Sequence, residues 1–256
     1  MSMWNPTQYN RFRAERQQPF FDLLGLVRPR AGLRVVDLGC GTGEMTRLMH
    51  ERLEATATLG LDRAETMLAD SVAFTAPGLR FALGDIAAFN AVGAYDVVFS
   101  NAALQWVPDH AALLARLTNA LAAGGQLAVQ MPVNYDHPSH TAAAAVASEP
   151  PFLDALRGFT VERPVAAAEW YAVALHRLGY AEQQVRVQVY AHLLDARDEV
   201  IEWVKGTLLT AYEQRLPADL WPRFLARYRD ALLPQLDDAH PYFYPFKRLL
   251  IWGRKG

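Results

Sequence analysis

The chain predicts an α/β fold, a mostly parallel sheet with helices on both faces. Three observations predict it. Compact apolar runs of strand length alternate with segments of helical spacing. Glycine and proline mark the connections between them, as short turns require. The first apolar run, Arg34-Val35-Val36-Asp37-Leu38, enters a loop with three glycines, Gly39, Gly41 and Gly43, and a helix-forming segment follows. Strand, tight loop and helix in that order open a βαβ unit and leave bare N–H groups at the helix start.

Taken in order, residues 12–27 have helical spacing through Phe12, Phe20, Leu23, Leu24 and Val27, and Arg28-Pro29-Arg30-Ala31-Gly32 breaks it. The aromatic stretch before it, from Met3 to Tyr9, has no clear helical pattern. After the glycine loop the pattern predicts a helix over 44–50, a strand over 58–62, a helix over 64–74 and a strand over 79–82. A fourth strand is predicted over 95–100 and a helix from Pro108-Asp109 through Leu113, Leu114, Leu117 and Leu121. Gly124-Gly125 is expected to end that helix ahead of a fifth strand over 126–131. Beyond residue 132 the spacing predicts an alanine-rich helix over 141–148, a helix over 166–178 stopped by Gly179, and an alternating strand over 185–190. Two helices over 198–212 and 218–233 and a last strand over 242–252 complete the chain.

A length of 256 residues suits one large domain, or a core with a cap. The expected division is an N-terminal arm at about 1–30, a binding core at 31–131, cap inserts at 132–165 and 195–240, and the last strand at 241–256. In an open α/β sheet such inserts would cover the strands' carboxyl ends, where ligands bind. A net charge of −2 argues against nucleic acid as the partner. The single cysteine, Cys40, excludes an internal disulfide and a zinc cluster and fits the cytoplasm. The residues from Met1 to Arg16 are polar and arginine-rich, unlike a secretory signal, and no apolar run could span a bilayer.

The glycine loop narrows the ligand. Its spacing is Gly39-x-Gly41-x-Gly43, with Asp37 two residues ahead, rather than the G-x-G-x-x-G of dinucleotide binders. An acid at that place repels a pyrophosphate and suits an ammonium group. Asp62 ends the second strand 19 residues after Gly43, where a carboxylate can accept two ribose hydroxyls. Asp85, in Gly84-Asp85-Ile86, is placed near a base edge. An amino-acid head, a ribose and a base together describe S-adenosylmethionine (SAM), and Gly39 and Gly41 are expected to stay bare because SAM lies on their backbone. No metal ligand set is expected.

These motifs resemble the class I SAM-dependent methyltransferases. The resemblance implies a Rossmann-like, seven-stranded, mostly parallel sheet in the order 3-2-1-4-5-7-6, with the last strand antiparallel and a helical cap. It implies a SAM site of Asp37, Gly39, Cys40, Gly41, Gly43, Asp62, Arg63, Met67, Asp85, Ile86, Asn101, Ala102 and Trp106. The fourth-strand exit, Ser100-Asn101-Ala102-Ala103-Leu104-Gln105-Trp106, lacks the Asn/Asp-Pro-Pro-aromatic tetrad of enzymes that methylate amino groups of nucleic acids and glutamine. His110 is the candidate base there.

Further motifs are similar to the trans-aconitate methyltransferase family. They are Trp4-Asn5-Pro6 with Tyr9 and Arg16, Gln105-Trp106-Val107-Pro108-Asp109-His110, Leu127-Ala128-Val129-Gln130-Met131-Pro132, and Phe246 with Arg248-Leu249. Pro138-Ser139-His140 approximates the family's Pro-Thr-His. The resemblance implies methyl transfer from SAM to a carboxylate of a small polycarboxylic acid. Trp4, Tyr9, Arg16, Trp106, His140 and Arg248 are the candidate acceptor contacts, and Arg11 is a further candidate. Where the family carries Gly-Leu-Arg-Pro, this chain has Gly206-Thr207-Leu208-Leu209-Thr210, without the arginine. A hydroxyl or nitrogen of another small molecule remains open as acceptor, as does SAM binding without catalysis, and the oligomeric state is open.

Overall fold

The computed structural model describes residues 13–161 and 165–256, with side chains from residue 17 onward. The described elements begin with helix α1 (Arg13–Leu24), then β1 (Arg34–Leu38), α2 (Glu44–Arg52), β2 (Ala57–Asp62), α3 (Glu65–Ser71) and β3 (Leu79–Leu83). Next come β4 (Tyr95–Asn101), α4 (His110–Ala120), β5 (Leu121–Pro132), α5 (Pro138–Ala147), α6 (Phe152–Leu156) and α7 (Ala168–Arg177). The chain closes with β6 (Tyr180–Leu194), α8 (Glu199–Lys205), α9 (Thr210–Glu213), α10 (Leu220–Leu232) and β7 (Tyr242–Lys255).

The seven strands form one sheet in the order β3-β2-β1-β4-β5-β7-β6. Strands β1 to β5 pair in parallel, and β7 runs antiparallel to β5. This is the predicted order. The inner strands read as near-continuous apolar runs because both faces of a parallel sheet are covered. On one face Phe20, Leu23, Leu24 and Val27 pack with Val35, Val97, Phe99, Ala128 and Trp252.

Two compact units are distinguished by internal packing. The described residues of one are 16–133, 165–188 and 248–256. Those of the other are chiefly 134–161 and 189–247. The second unit has its own core, where α5 supplies Ala142, Ala143 and Val146, α8 supplies Trp203, and α10 supplies Phe224 and Tyr228.

Several expected boundaries are corrected. Gly124-Gly125 does not end a helix: α4 stops at Ala120, and the glycines lie inside β5, where the register shifts between the Tyr95–Leu121 and Val97–Gln126 pairs. Gly124 has φ 67°, a conformation that such an irregularity assigns to glycine. The expected helix over 198–212 is two, α8 and α9, interrupted at 206–209. Helix α6 was not expected, and β6 is far longer than 185–190. As the last strand of the sheet order it is largely solvated, and its burial alternates cleanly only over 190–194; Val187 and Val189, in the stretch expected to alternate, are both exposed.

Candidate active site

Asp37 is the fourth residue of β1, and its side chain faces the interior with only 3% exposure. Burial pushes its pKa up to about 7; a hydrogen bond donated by Thr46 Oγ at 2.6 Å opposes this, and the charge of Asp62 adds to it. A carboxylate held this way is stabilised by any cation brought to it.

The three loop glycines all have positive φ, +85° at Gly39, +57° at Gly41 and +84° at Gly43. Their reasons differ. A Cβ at Gly39 would stand 2.2 Å from the Ala103 Cβ, and one at Gly43 2.6 Å from the Phe81 ring. The fold itself therefore opposes side chains at both, which gives Gly39 a structural reason to stay bare besides the expected one. A Cβ at Gly41 would meet only the mobile end of Met67, at 3.2 Å. The Gly41 N–H donates to Asp62 Oδ2 at 2.9 Å, and the Ala64 N–H donates to Oδ1 at 2.9 Å. Two backbone donors thus fix the Asp62 carboxylate at the end of β2.

Asp85 is exposed and accepts from the Ala87 N–H at 2.8 Å, capping the turn Ile86–Ala88. Ile86 is buried, Met67 half-buried and Arg63 exposed. Cys40 is buried, and burial, with the charges of Asp37 and Asp62, drives its thiol pKa far up, so it is no nucleophile.

The chain leaving β4 turns sharply. Ala102 has φ 55°, a left-handed conformation costly for a residue with a Cβ. Its N–H donates to the Gln130 carbonyl at 2.9 Å, and its carbonyl accepts from Gln105 Nε2 at 2.7 Å. Trp106 is 53% exposed. Asp109 accepts from the Ala112 N–H at 3.1 Å and caps α4. His110 is buried, and burial lowers its pKa. Its Nε2 donates to the Leu104 carbonyl at 3.0 Å. That assigns the proton to Nε2, so Nδ1 accepts from the Tyr171 hydroxyl. Tyr171 in turn accepts from the Ala166 N–H at 3.2 Å. Both imidazole nitrogens therefore hold structure.

His140 belongs to the second unit, with Nδ1 3.1 Å from Ser139 Oγ and its ring edge-on to Tyr135. Arg248 is buried in β7 opposite Pro132. Trp4, Tyr9 and Arg11 lie outside the described residues, as does the Arg16 side chain. In the second unit Leu208 and Leu209, at the position of the absent arginine, are buried in the core. Two residues that sequence reasoning passed over, Gln105 and Gln130, have buried amide atoms with no hydrogen-bond partner, as does Asn101. The available signal was a glutamine inside the apolar run Leu127-Ala128-Val129-Gln130-Met131. Among the described residues no group of three or more His, Cys, Asp or Glu could hold a metal ion, and no helix is long and apolar enough to cross a membrane.

A sheet in this order with a reversed β7, and an acidic glycine turn facing an aspartate-ended β2, define a class: the SAM-dependent methyltransferases. Residues 29–169 match the model of a family described as a methyltransferase domain. The chain is 43% identical to the trans-aconitate 2-methyltransferase of Deinococcus radiodurans, over 97% of this chain and 96% of that one. It is 41% identical to the enzyme of that name from Methylobacterium nodulans, over 100% and 99%. The crystal structure of the YcgJ protein from Bacillus subtilis shares the fold with a TM-score of 0.62 at 18% identity, covering 93% of this chain and 98% of that one. The chain belongs to the trans-aconitate 2-methyltransferase family. It is an enzyme, and SAM is its cofactor.

Proposed function

We propose that this enzyme transfers the SAM methyl group to a carboxylate of trans-aconitate or a closely related small polycarboxylic acid, forming a methyl ester. The relatives' names support the substrate. The geometric observation that carries the reading is the β4 exit: within 101–110 the titratable side chains are Asp109, which caps α4, and His110, whose two nitrogens are engaged. A hydroxyl acceptor would need a general base there. A carboxylate is already ionised at neutral pH and has no proton to give up.

The residues fit the cofactor. Buried Asp37, with its raised pKa, is suited to the ammonium of the amino-acid head. The turn from Gly39 to Gly43 offers bare backbone at its three glycines, and the Cys40 side chain within it is buried. The fixed carboxylate of Asp62 suits the ribose hydroxyls, and Asp85, Ile86, Arg63 and Met67 the base and its surroundings. Bound SAM supplies a methyl group on a positively charged sulfur. The protein's own task is to strip water from the acceptor carboxylate and hold one oxygen in line with that methyl group. In the first unit Arg248 and Trp106 are the described candidates for that task, and Asn101 and Ala102 are candidates for the SAM site; in the second unit His140 is a candidate considered by itself. Trp4, Tyr9 and Arg16 remain candidates from sequence. The single cysteine suits a reducing cytoplasm as the location.

The test is a transfer assay with methyl-labelled SAM over di- and tricarboxylic acids. The expected product is base-labile and releases labelled methanol in alkali. A base-stable methylated product, or methylation only of hydroxyl or amine acceptors, overturns the reading.

A further inference from the structure

Strand β5 carries two glutamines on the same face of the sheet, four residues apart. Gln126, toward the amino end, has both of its polar atoms bonded. Its Oε1 accepts from the Arg28 N–H at 2.8 Å and from Trp252 Nε1 at 3.0 Å, and its Nε2 donates to the Arg28 carbonyl at 2.8 Å. Gln130, toward the carboxyl end, is 0% exposed, and neither its Oε1 nor its Nε2 has a hydrogen-bond partner. Leaving a buried amide unpaired is disfavoured by the full loss of its hydration. Such groups in native proteins call for a cause, and ligand recognition is one.

The surroundings of Gln130 indicate the ligand. Register pairs Asp37 with Phe99, Phe99 with Ala128 and Asn101 with Gln130. It also pairs Gln130 with Leu250 and Pro132 with Arg248. Side chains alternate along each strand, so Asp37, Asn101, Gln130 and Arg248 project from one face, at the carboxyl ends of β1, β4 and β5. Asp37 is an acid on the β1 side, and Arg248 is a buried guanidinium on the β7 side. Between them lie Gln130 and Asn101, whose Oδ1 also has no partner. Asn101 is partly exposed, so this row of amides runs from the interior to the surface.

We propose that Gln130 is an acceptor-recognition residue: its Nε2 donates to an oxygen of an acceptor carboxyl group, with Asn101 beside it and the Arg248 guanidinium on the same face. This rests on the carboxylate reading given above. A carboxylate needs donors, which the amide and guanidinium supply. The amide oxygen adds an acceptor for a water or a hydroxyl beside the bound carboxylate. A neutral amide also recognises the acceptor without a second full charge beside Asp37.

The experiment compares wild type with Gln130→Met, which keeps the length of the side chain and removes its polarity. Wild type is first assayed with labelled SAM and trans-aconitate among di- and tricarboxylic acids. Failure to methylate any of them overturns the carboxylate reading and this inference with it. With an active wild type, the expected result for Gln130→Met is an unchanged or higher Tm, a SAM Kd within twofold, and an acceptor KM raised tenfold or more. Acceptor Kd, measured calorimetrically with S-adenosylhomocysteine present, should weaken to the same extent. KM and Kd within twofold of wild type overturn the inference alone. Gln130→Leu replaces the Met variant if that does not fold, and failure of both to fold marks Gln130 as structural and overturns the proposal. Gln126→Met is the control, with Tm expected to fall and acceptor KM to stay.

Discussion

At the amino end of the sheet, Asp96 accepts from the Arg34 N–H and Nε, both at 2.9 Å, and from Arg30 at 2.5 Å. Although burial pushes its pKa up, those bonds and the two guanidinium charges leave it below the usual carboxylate range. At the carboxyl end, Asp37 has one donor, Thr46, and a pKa raised to about 7. The glutamines of β5 differ in the same direction, with both polar atoms of Gln126 bonded and neither of Gln130. Backbone strain does not divide the two ends: Ala102 is left-handed at the exit of β4, and Glu54 is left-handed ahead of β2. Asp96 and Gln126 use their polar atoms to hold the chain together. At the carboxyl end Asp62 is likewise fixed by backbone donors, but Asp37 and Gln130 keep hydrogen-bonding capacity, as in α/β folds whose ligands sit beyond the strands' carboxyl ends.

The comparison can be broken most severely at Gly39. Gly39→Val forces a β-branched residue into positive φ and against Ala103, and should cost about 3 kcal/mol or more of stability, or prevent folding. Chemical denaturation measures it. A variant as stable as wild type would show that the turn is not fixed by Ala103.

The two aspartates should respond to pH with opposite signs. Asp37 binds its proton more tightly folded than unfolded, so stability of the ligand-free enzyme should fall as pH rises from about 4 through about 7. Binding an ammonium requires ionised Asp37, so SAM affinity should weaken by about tenfold per pH unit below 7. Asp37→Asn should raise the ligand-free Tm at pH 8 while weakening SAM binding. Asp96 binds its proton less tightly folded than unfolded. Its contribution is present above the ordinary carboxylate range and is lost as pH falls through its lowered pKa. Asp96→Asn should flatten that acid limb and leave SAM affinity alone. Calorimetric titration across about pH 4–8, and melting carried down to about pH 2 to reach the Asp96 limb, separate the two.

Asp62→Ala should weaken SAM binding by ~1.5–3 kcal/mol, the scale of hydrogen bonds to a charged group. Affinity within twofold of wild type would remove Asp62 from the site. The smallest expected effect is that of Gln126→Met, which leaves the Arg28 backbone groups and the Trp252 indole N–H without their partner. A loss of ~1–3 kcal/mol is expected from urea unfolding. An unchanged stability would erase the contrast with Gln130.

Much of the fold was legible because an α/β sheet writes itself in apolar runs: Val35-Val36, Val97-Val98-Phe99 and Leu249-Leu250-Ile251 each lie inside an observed strand. Legibility fell where periodicity did. The outer part of β6 alternates weakly, and the interruption between α8 and α9 falls at Gly206, inside a stretch that otherwise reads as helix. The acids and glycines of the β1 turn were readable from spacing, but the structural reason for Gly39 was not, because Ala103 is 64 residues away in sequence. In sequence Gln130 is one residue of the run Leu127-Ala128-Val129-Gln130-Met131. Its importance lies in having no partner, and that is a property of three dimensions.

A crystal structure of the complex with S-adenosylhomocysteine and trans-aconitate tests the central claim most directly. The account predicts the homocysteine ammonium beside Asp37, the ribose hydroxyls on Asp62, and an acceptor carboxyl oxygen within hydrogen-bond distance of Gln130 Nε2. An acceptor bound with its carboxyl groups elsewhere and the Gln130 amide still without a partner would contradict it.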